Sequence, residues 1–251
     1  MCIADACFLE VFMKLHNPFR KLTRSGWIIW SVSVVLVTLS FVLGSEFEPL
    51  TLAASLIGVT ALIFLAGGDV WGQILTIVFS LFYSFISLKF HYYGEMITYL
   101  GMTAPIAALS VVSWLKHPYR KEENEVEVAK LTAVKAIVLL VLTAIVTALF
   151  YFILEFFGTA NLLVSTISIA TSFLASALMF LRSKAYALAY AANDIVLIVL
   201  WVLASLEEPS YFPMIICFSA FLVNDLYGFY SWNKMHKRQR IDSETAAVRE
   251  E

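Results

Sequence analysis

Residues 131–157 read LTAVKAIVLLVLTAIVTALFYFILEFF, and only Lys135 and Glu155 in that run carry charge. A helix rises 1.5 Å per residue, so ~20 apolar residues cross the ~30 Å of hydrocarbon in a bilayer. The run is long enough to span, and the segment before it, KHPYRKEENEVEVAK (116–130), is far too polar to enter lipid. Working outward, similar runs lie at Trp27–Leu43, Leu50–Ala66, Val70–Leu88, Met96–Leu115, Asn161–Leu181, Ala185–Leu206 and Tyr211–Trp232. The chain therefore reads as an all-α membrane protein of about eight transmembrane helices.

Composition agrees. Of 251 residues, 61% are hydrophobic and 14% are charged, against roughly 25% charged in an average soluble domain. The net charge of −2 gives no reason to expect a nucleic-acid partner. Cys2, Cys7 and Cys217 form neither a CxxC pair nor an even framework, so no disulfide scaffold and no metal site are expected. The N-terminus does not read as a secretory signal, because Asp5 and Glu10 precede its basic residues.

Orientation follows from basic residues in short connections. With both termini cytoplasmic, the inner segments are 1–26, 67–69, 116–130, 182–184 and 233–251, and they hold all 17 Lys and Arg except Lys89 and Lys135. The outer loops, GSEFEP, FHYYGE, GTA and EEPS, are acidic or neutral. Lys89 and Lys135 stand near span ends, where a long stem reaches the interface. The expected location is the cell (inner, cytoplasmic) membrane. Residues 1–26 suit an amphipathic helix on the cytoplasmic face or a frayed tail, and residues 233–251 read as a solvated tail.

The layout repeats. Residues 50–115 and 161–232 each hold three spans, and each triplet ends in a tryptophan followed closely by lysine: Trp114 with Lys116, Trp232 with Lys234. The single helix 131–157 links them, so both triplets run the same way as parallel repeats. The span at 27–43 is an extra N-terminal helix.

Polar groups in a span cost roughly 2.5–3.5 kcal/mol each on insertion scales, so they face the protein interior or a wet cavity. Asn193 and Asp194 lie ~13 Å inside the seventh span, and Asn224 and Asp225 ~12 Å inside the eighth. Both pairs could line one cavity, or they could bond one another and tie the helices. Adjacent residues on a helix point ~100° apart, so the members of a pair cannot face one cavity equally. Aromatic residues surround the same region: Tyr83, Tyr99, Tyr186, Tyr190, Trp201, Tyr227 and Tyr230. Their flat faces suit a stacked heterocycle or a pyridinium cation. Trp114 and Trp232 read instead as interfacial anchors. Pro105 is either a hinge or a static bend, and Asp69, directly before a helix, reads as a cap.

The stretches YYGEMITYLGMTAPIAALSVVSWLKHP (92–118), AYAANDIVLIVLWVLAS (189–205) and FLVNDLYGFYSWNKM (221–235) resemble the PnuC family of vitamin transporters. The resemblance covers roughly residues 50–237. It implies a SWEET-like fold with a three-plus-one-plus-three helix arrangement, and facilitated diffusion of nicotinamide riboside without cofactor. It also implies a homo-oligomer, and trapping of the solute by a cytosolic kinase. By position it points to Asn193, Trp201, Asn224 and Tyr227 as substrate-binding, to which the residues themselves add Tyr190 and Asp194. Family members commonly carry tryptophans where this chain has Tyr186 and Tyr190, which keeps thiamine, riboflavin and deoxynucleosides open as cargo. An intramembrane enzyme is disfavoured, because His16, His91, His117 and His236 sit in loops or at span ends without a metal-binding partner motif.

Overall fold

The computed structural model describes residues 17–44, 48–89, 93–120, 124–159 and 161–250. The amphipathic reading of the N-terminus, with Cys2, Cys7 and His16, falls almost wholly outside these residues, as does His91. Among the described residues, eight helices are long and apolar enough to cross a membrane. They are α1 (Arg24–Val42), α2 (Pro49–Ala66), α3 (Val70–Lys89), α4 (Tyr93–Lys116), α5 (Ala133–Phe156), α6 (Leu162–Phe180), α7 (Tyr186–Glu207) and α8 (Phe212–Glu250). No strand forms among them; the only β pairing is the isolated bridges Asp69–Glu125 and Pro118–Val126.

Local chemistry sets the helix ends. Thr23 accepts the Gly26 N–H at 3.0 Å to start α1, and Thr132 accepts the Lys135 N–H to start α5. Pro49 opens α2, where its missing N–H costs nothing. The polar character of α3 is absorbed within the helix: Thr76, Ser80 and Ser84 each donate to the carbonyl one turn back, at 2.7–2.9 Å. Helix α4 widens into a π turn at Tyr99–Thr103, just ahead of Pro105. Such turns interrupt the regular ladder and cluster at functional positions.

Helices α2 and α6 end in matching turns. Gly68 (φ +68°) and Arg182 (φ +57°) are both left-handed. The Asp69 N–H reaches Phe64 O at 3.0 Å, and the Ser183 N–H reaches Leu178 O at 2.9 Å. Glycine adopts the first of these freely; Arg182 adopts the second against its Cβ. One strap, the α4–α5 connection, closes both turns: Val126 N–H donates to Gly68 O (3.0 Å) and Ala129 N–H to Arg182 O (2.9 Å). These paired contacts fit a three-plus-one-plus-three arrangement with both triplets pointing the same way.

This end of the bundle is basic, with Arg20, Lys21, Lys116, Arg182 and Lys184; the opposite end carries Glu48, Glu95, Glu207 and Glu208. The expected solvated tail is helical, a continuation of α8 to Glu250. Its sequence has no Pro or Gly to stop it, and its first turns dock on the strap. Gln239 accepts the Val128 N–H (2.9 Å) and donates to Val126 O (3.0 Å), while Tyr119 donates to Asp242 and Arg238 pairs with Glu125.

Trp114 and Trp232 are not interfacial anchors. Both are buried, at 1% and 0% exposure, and each indole N–H reaches the carbonyl at the end of the other triplet's first helix. Trp232 donates to Leu65 O at 2.8 Å and Trp114 to Met179 O at 3.3 Å. The rings lie 5.7 Å apart, and Tyr186 sits edge-on to Trp232 at 4.7 Å. Burial with a satisfied N–H outweighs the interfacial preference of tryptophan.

Candidate functional site

Two apolar cores stack along the bundle. One, toward the acidic end, joins Val37, Phe41, Tyr83, Trp201, Phe218 and neighbours; the other, toward the basic end, joins Leu65, Trp114, Met179, Tyr186 and Trp232. Between them lies a polar layer around a cavity of about 70 Å³. Helix α7 supplies Tyr190, Asn193 and Asp194, α8 supplies Asp225, α3 supplies Thr76 and Phe79, and the π turn of α4 supplies Tyr99 and Thr103. Gly58 of α2 is part of the wall, and a Cβ there would stand 2.6 Å from Phe221 Cζ, so only glycine lets that ring sit where it does.

Asn193 Oδ1 accepts from Thr171 Oγ1 (2.8 Å) and Ser172 Oγ (2.9 Å), which fixes the amide at the wall. The Tyr190 hydroxyl is held by Ser176 at 3.0 Å. Asp194 of α7 and Asp225 of α8 both line the cavity, each only 3% exposed. Among the described residues, no Lys, Arg or His lines the cavity.

Two larger chambers, about 260 and 210 Å³, open near the acidic end. Glu95 and Glu207 border the first, Glu48 borders the second, and Glu208, Tyr211 and Trp201 border both. Trp201 stacks on Phe218 at 6.4 Å and 16°, and Phe218 lines the central cavity. This stack is the partition between the chambers and the polar layer.

Of the residues singled out in the sequence, Tyr190, Asn193 and Asp194 come together at the cavity and Trp201 stands at the partition. Asn224 and Tyr227 do not join them. The Asn224 amide donates to Ser33 Oγ on α1 (2.9 Å) and to Ala220 O, and the Tyr227 hydroxyl meets Thr23 Oγ1 at 2.8 Å. Both tie α8 to the first helix. Phe79, Thr103 and the π turn were not evident from the sequence, although GMTAP ahead of Pro105 marks an interrupted helix. Asp69 caps α3 by accepting the Trp71 N–H at 3.0 Å and also accepts from Asn124.

Fold and site together define a multi-pass helical membrane protein with a closed polar chamber at mid-depth. A family profile described as nicotinamide mononucleotide transporter matches residues 48–234, and the chain belongs to that family. The nicotinamide riboside transporter PnuC of Haemophilus influenzae is 25% identical over 231 residues, which cover 90% of this chain and 99% of that protein. The nicotinamide riboside transporter PnuC of Neisseria mucosa is 26% identical over 189 residues, 74% of this chain and 72% of its own length. A crystal structure of the vitamin B3 transporter PnuC superposes with a TM-score of 0.76 at 22% identity, covering 87% of this chain and 94% of that one, so the fold is shared.

Proposed function

We propose that the chain carries nicotinamide riboside across the cell's inner membrane by facilitated diffusion, and that a cytosolic kinase traps the solute. The observation that carries this reading is the enclosed polar layer, walled by rings and the Asn193 amide and sealed on each side by an apolar core. The family relatives bear the riboside's name. The family profile is described by the mononucleotide, but the cavity chemistry favours the riboside. A phosphate would meet the Asp194 and Asp225 carboxyls with no Lys, Arg or His among the described residues of the cavity wall to balance it. Asn193, Tyr190 and Asp194 contact the solute, Trp201 forms the outer partition, and the two triplets rock about the polar layer. Ligand sites usually span ~300–1,000 Å³, so a cavity of about 70 Å³ is the occluded state and must widen to admit a riboside. Both termini and the basic end face the cytoplasm, and the protein works as a homo-oligomer.

A second reading keeps the same fold and carries thiamine, riboflavin or a deoxynucleoside; Tyr186 and Tyr190, where the family resemblance leads one to expect tryptophans, keep it open. Liposomes holding the purified protein, nicotinamide riboside kinase and ATP separate the two. Accumulation of riboside label that needs both kinase and ATP supports the proposal. No uptake of riboside by folded protein, with uptake of thiamine or thymidine, moves it to the second reading.

A further inference from the structure

Between the central cavity and the tryptophan pair at the basic end lies a crevice with a volume of about 0 Å³. It shares Thr76 and Tyr190 with the cavity and continues past Gln73, Ser110 and Ser176 to Met179, whose carbonyl takes the Trp114 N–H. Gln73 is 2% exposed, and its Nε2 is buried without a hydrogen-bond partner. A water needs ~10–15 Å³, so none fits in the closed crevice to take that donor. Buried donors are nearly always paired, because an unpaired one keeps its whole desolvation cost. Thr76 and Ser110 donate to Gly72 O and Ile106 O, at 2.9 and 2.8 Å, which leaves lone pairs on both hydroxyl oxygens.

Helix packing alone does not call for an amide at this place. Asp69 O accepts the Gly72 N–H at 2.9 Å and Ser183 O accepts the Tyr186 N–H at 3.1 Å, so Asp69 matches Ser183 and Gln73 stands in register with Ala187. Ala187 is buried in the core toward the basic end. The same turns put Ser176 in register with Leu62, and Trp114 with Trp232 puts Ser110 in register with Gly228. On that side the layer is apolar and closely packed: a Cβ at Gly228 would stand 3.6 Å from Ala187 Cβ. The polar set is confined to the side formed by α3, α4 and α6.

We propose that this crevice is an inner subsite for the sugar of a nucleoside solute, in which Gln73 Nε2 donates to a ribose hydroxyl and the Thr76 and Ser110 oxygens accept from the diol. This rests on the reading of the cavity as the solute site. The cavity holds the rings of Phe79, Tyr99 and Phe221, which suit the flat heterocycle, whereas Tyr190 is the one ring among the described residues of the crevice. The solute therefore lies with its sugar toward the basic end. Because the two spaces share Thr76 and Tyr190, the widening that admits a riboside opens the crevice, and Gln73 gains its acceptor from the solute. A vicinal diol suits such a site because each hydroxyl both donates and accepts.

The test compares nicotinamide riboside with its dideoxyriboside, which lacks the sugar diol, by calorimetry on the purified full-length protein, beside a melt without solute. The wild type is expected to bind the riboside ~30-fold or more tighter than the dideoxy form. Gln73→Leu should cut that preference ~5-fold or more and leave affinity for the dideoxy form nearly unchanged. Its thermal midpoint should hold or rise, since the change removes an unpaired donor, whereas loss of a structural tie would lower it. Equal binding of both forms by the wild type overturns the proposal, as does a preference that Gln73→Leu leaves intact. If Gln73→Leu does not fold or melts lower, Gln73→Ala, which carries the side chain of its counterpart Ala187, is judged by the same two readings. If neither nicotinamide form binds, the cargo reading fails by itself. Uridine against dideoxyuridine then decides the sugar contact by the same criterion, and no binding of either overturns it.

Discussion

Asn193 accepts two hydroxyl hydrogen bonds at the cavity wall, whereas Asn224 donates to Ser33 and Ala220 away from it. Their depths were legible in the sequence; their facing was not, because ~100° per residue sends neighbours to different helices and only packing decides which. The two alanine variants should therefore part. Asn193→Ala is expected to weaken solute binding by ~1–3 kcal/mol, with little change in thermal midpoint, since Thr171 keeps its carbonyl partners. Asn224→Ala should lower the midpoint and leave affinity nearly unchanged. Calorimetry and a melt on each variant check this, and the opposite pattern would exchange their roles. Asp69 makes a different prediction. Burial pushes its carboxyl from 3.8 up to about 6, against the opposing hydrogen bonds from Trp71 and Asn124 and the charge of Lys21. A folded value above the unfolded one means the folded state holds more protons, so the stabilisation is complete below the unfolded value and lost as pH rises through the folded one. The loss is ~3 kcal/mol by about pH 7. Thermal midpoints of wild type and Asp69→Asn across that window should diverge as pH rises, the wild type falling relative to the variant. Parallel curves would place the titration elsewhere.

The connection between α4 and α5 and the Met235–Asp242 stretch of α8 form one structural unit, although the sequence reads them as a polar loop and a solvated tail. A charged helix beyond the membrane has no apolar stripe to announce it, and its partners in the strap lie more than a hundred residues away. Most of its ion pairs are exposed and contribute little. Gln239 differs: its buried amide serves the Val128 N–H and the Val126 carbonyl that stand beside the strap's own bonds to Gly68 and Arg182. Leaving either backbone group unpaired costs ~1–3 kcal/mol. Gln239→Ala is thus expected to lower the thermal midpoint clearly, Arg238→Ala much less, and removal of residues 243–251 hardly at all. Equal effects for Gln239→Ala and Arg238→Ala would mean that the strap is held by charge rather than by its buried amide.

The spacing of Trp114 and Trp232 fits parallel triplets, and the number of spans and the mid-depth polar layer were readable from hydropathy and Lys/Arg placement. The seal at the basic end was not, because a tryptophan near a span end looks the same whether it meets lipid headgroups or a neighbouring helix. Here each indole crosses from one triplet to the other: Trp232 to Leu65, Trp114 to Met179. If the triplets rock during transport, these bonds break and reform in every cycle, since they join the parts that move, while the Trp201–Phe218 stack parts at the other end. Trp232→Phe keeps a ring in the packing and removes the N–H, leaving the Leu65 carbonyl with the backbone bond from Gly68 alone and destabilising the closed basic end by ~0.5–1.5 kcal/mol relative to an open one. A cysteine at Thr76, on the cavity wall, reports the opening in a background where Cys2 and Cys7 are serine and the buried Cys217 is retained. A water-soluble maleimide should label Thr76→Cys several-fold faster when Trp232→Phe is added, and saturating solute should slow that labelling. An unchanged rate would make the paired tryptophans part of the fixed scaffold and move the gate at the basic end toward the strap.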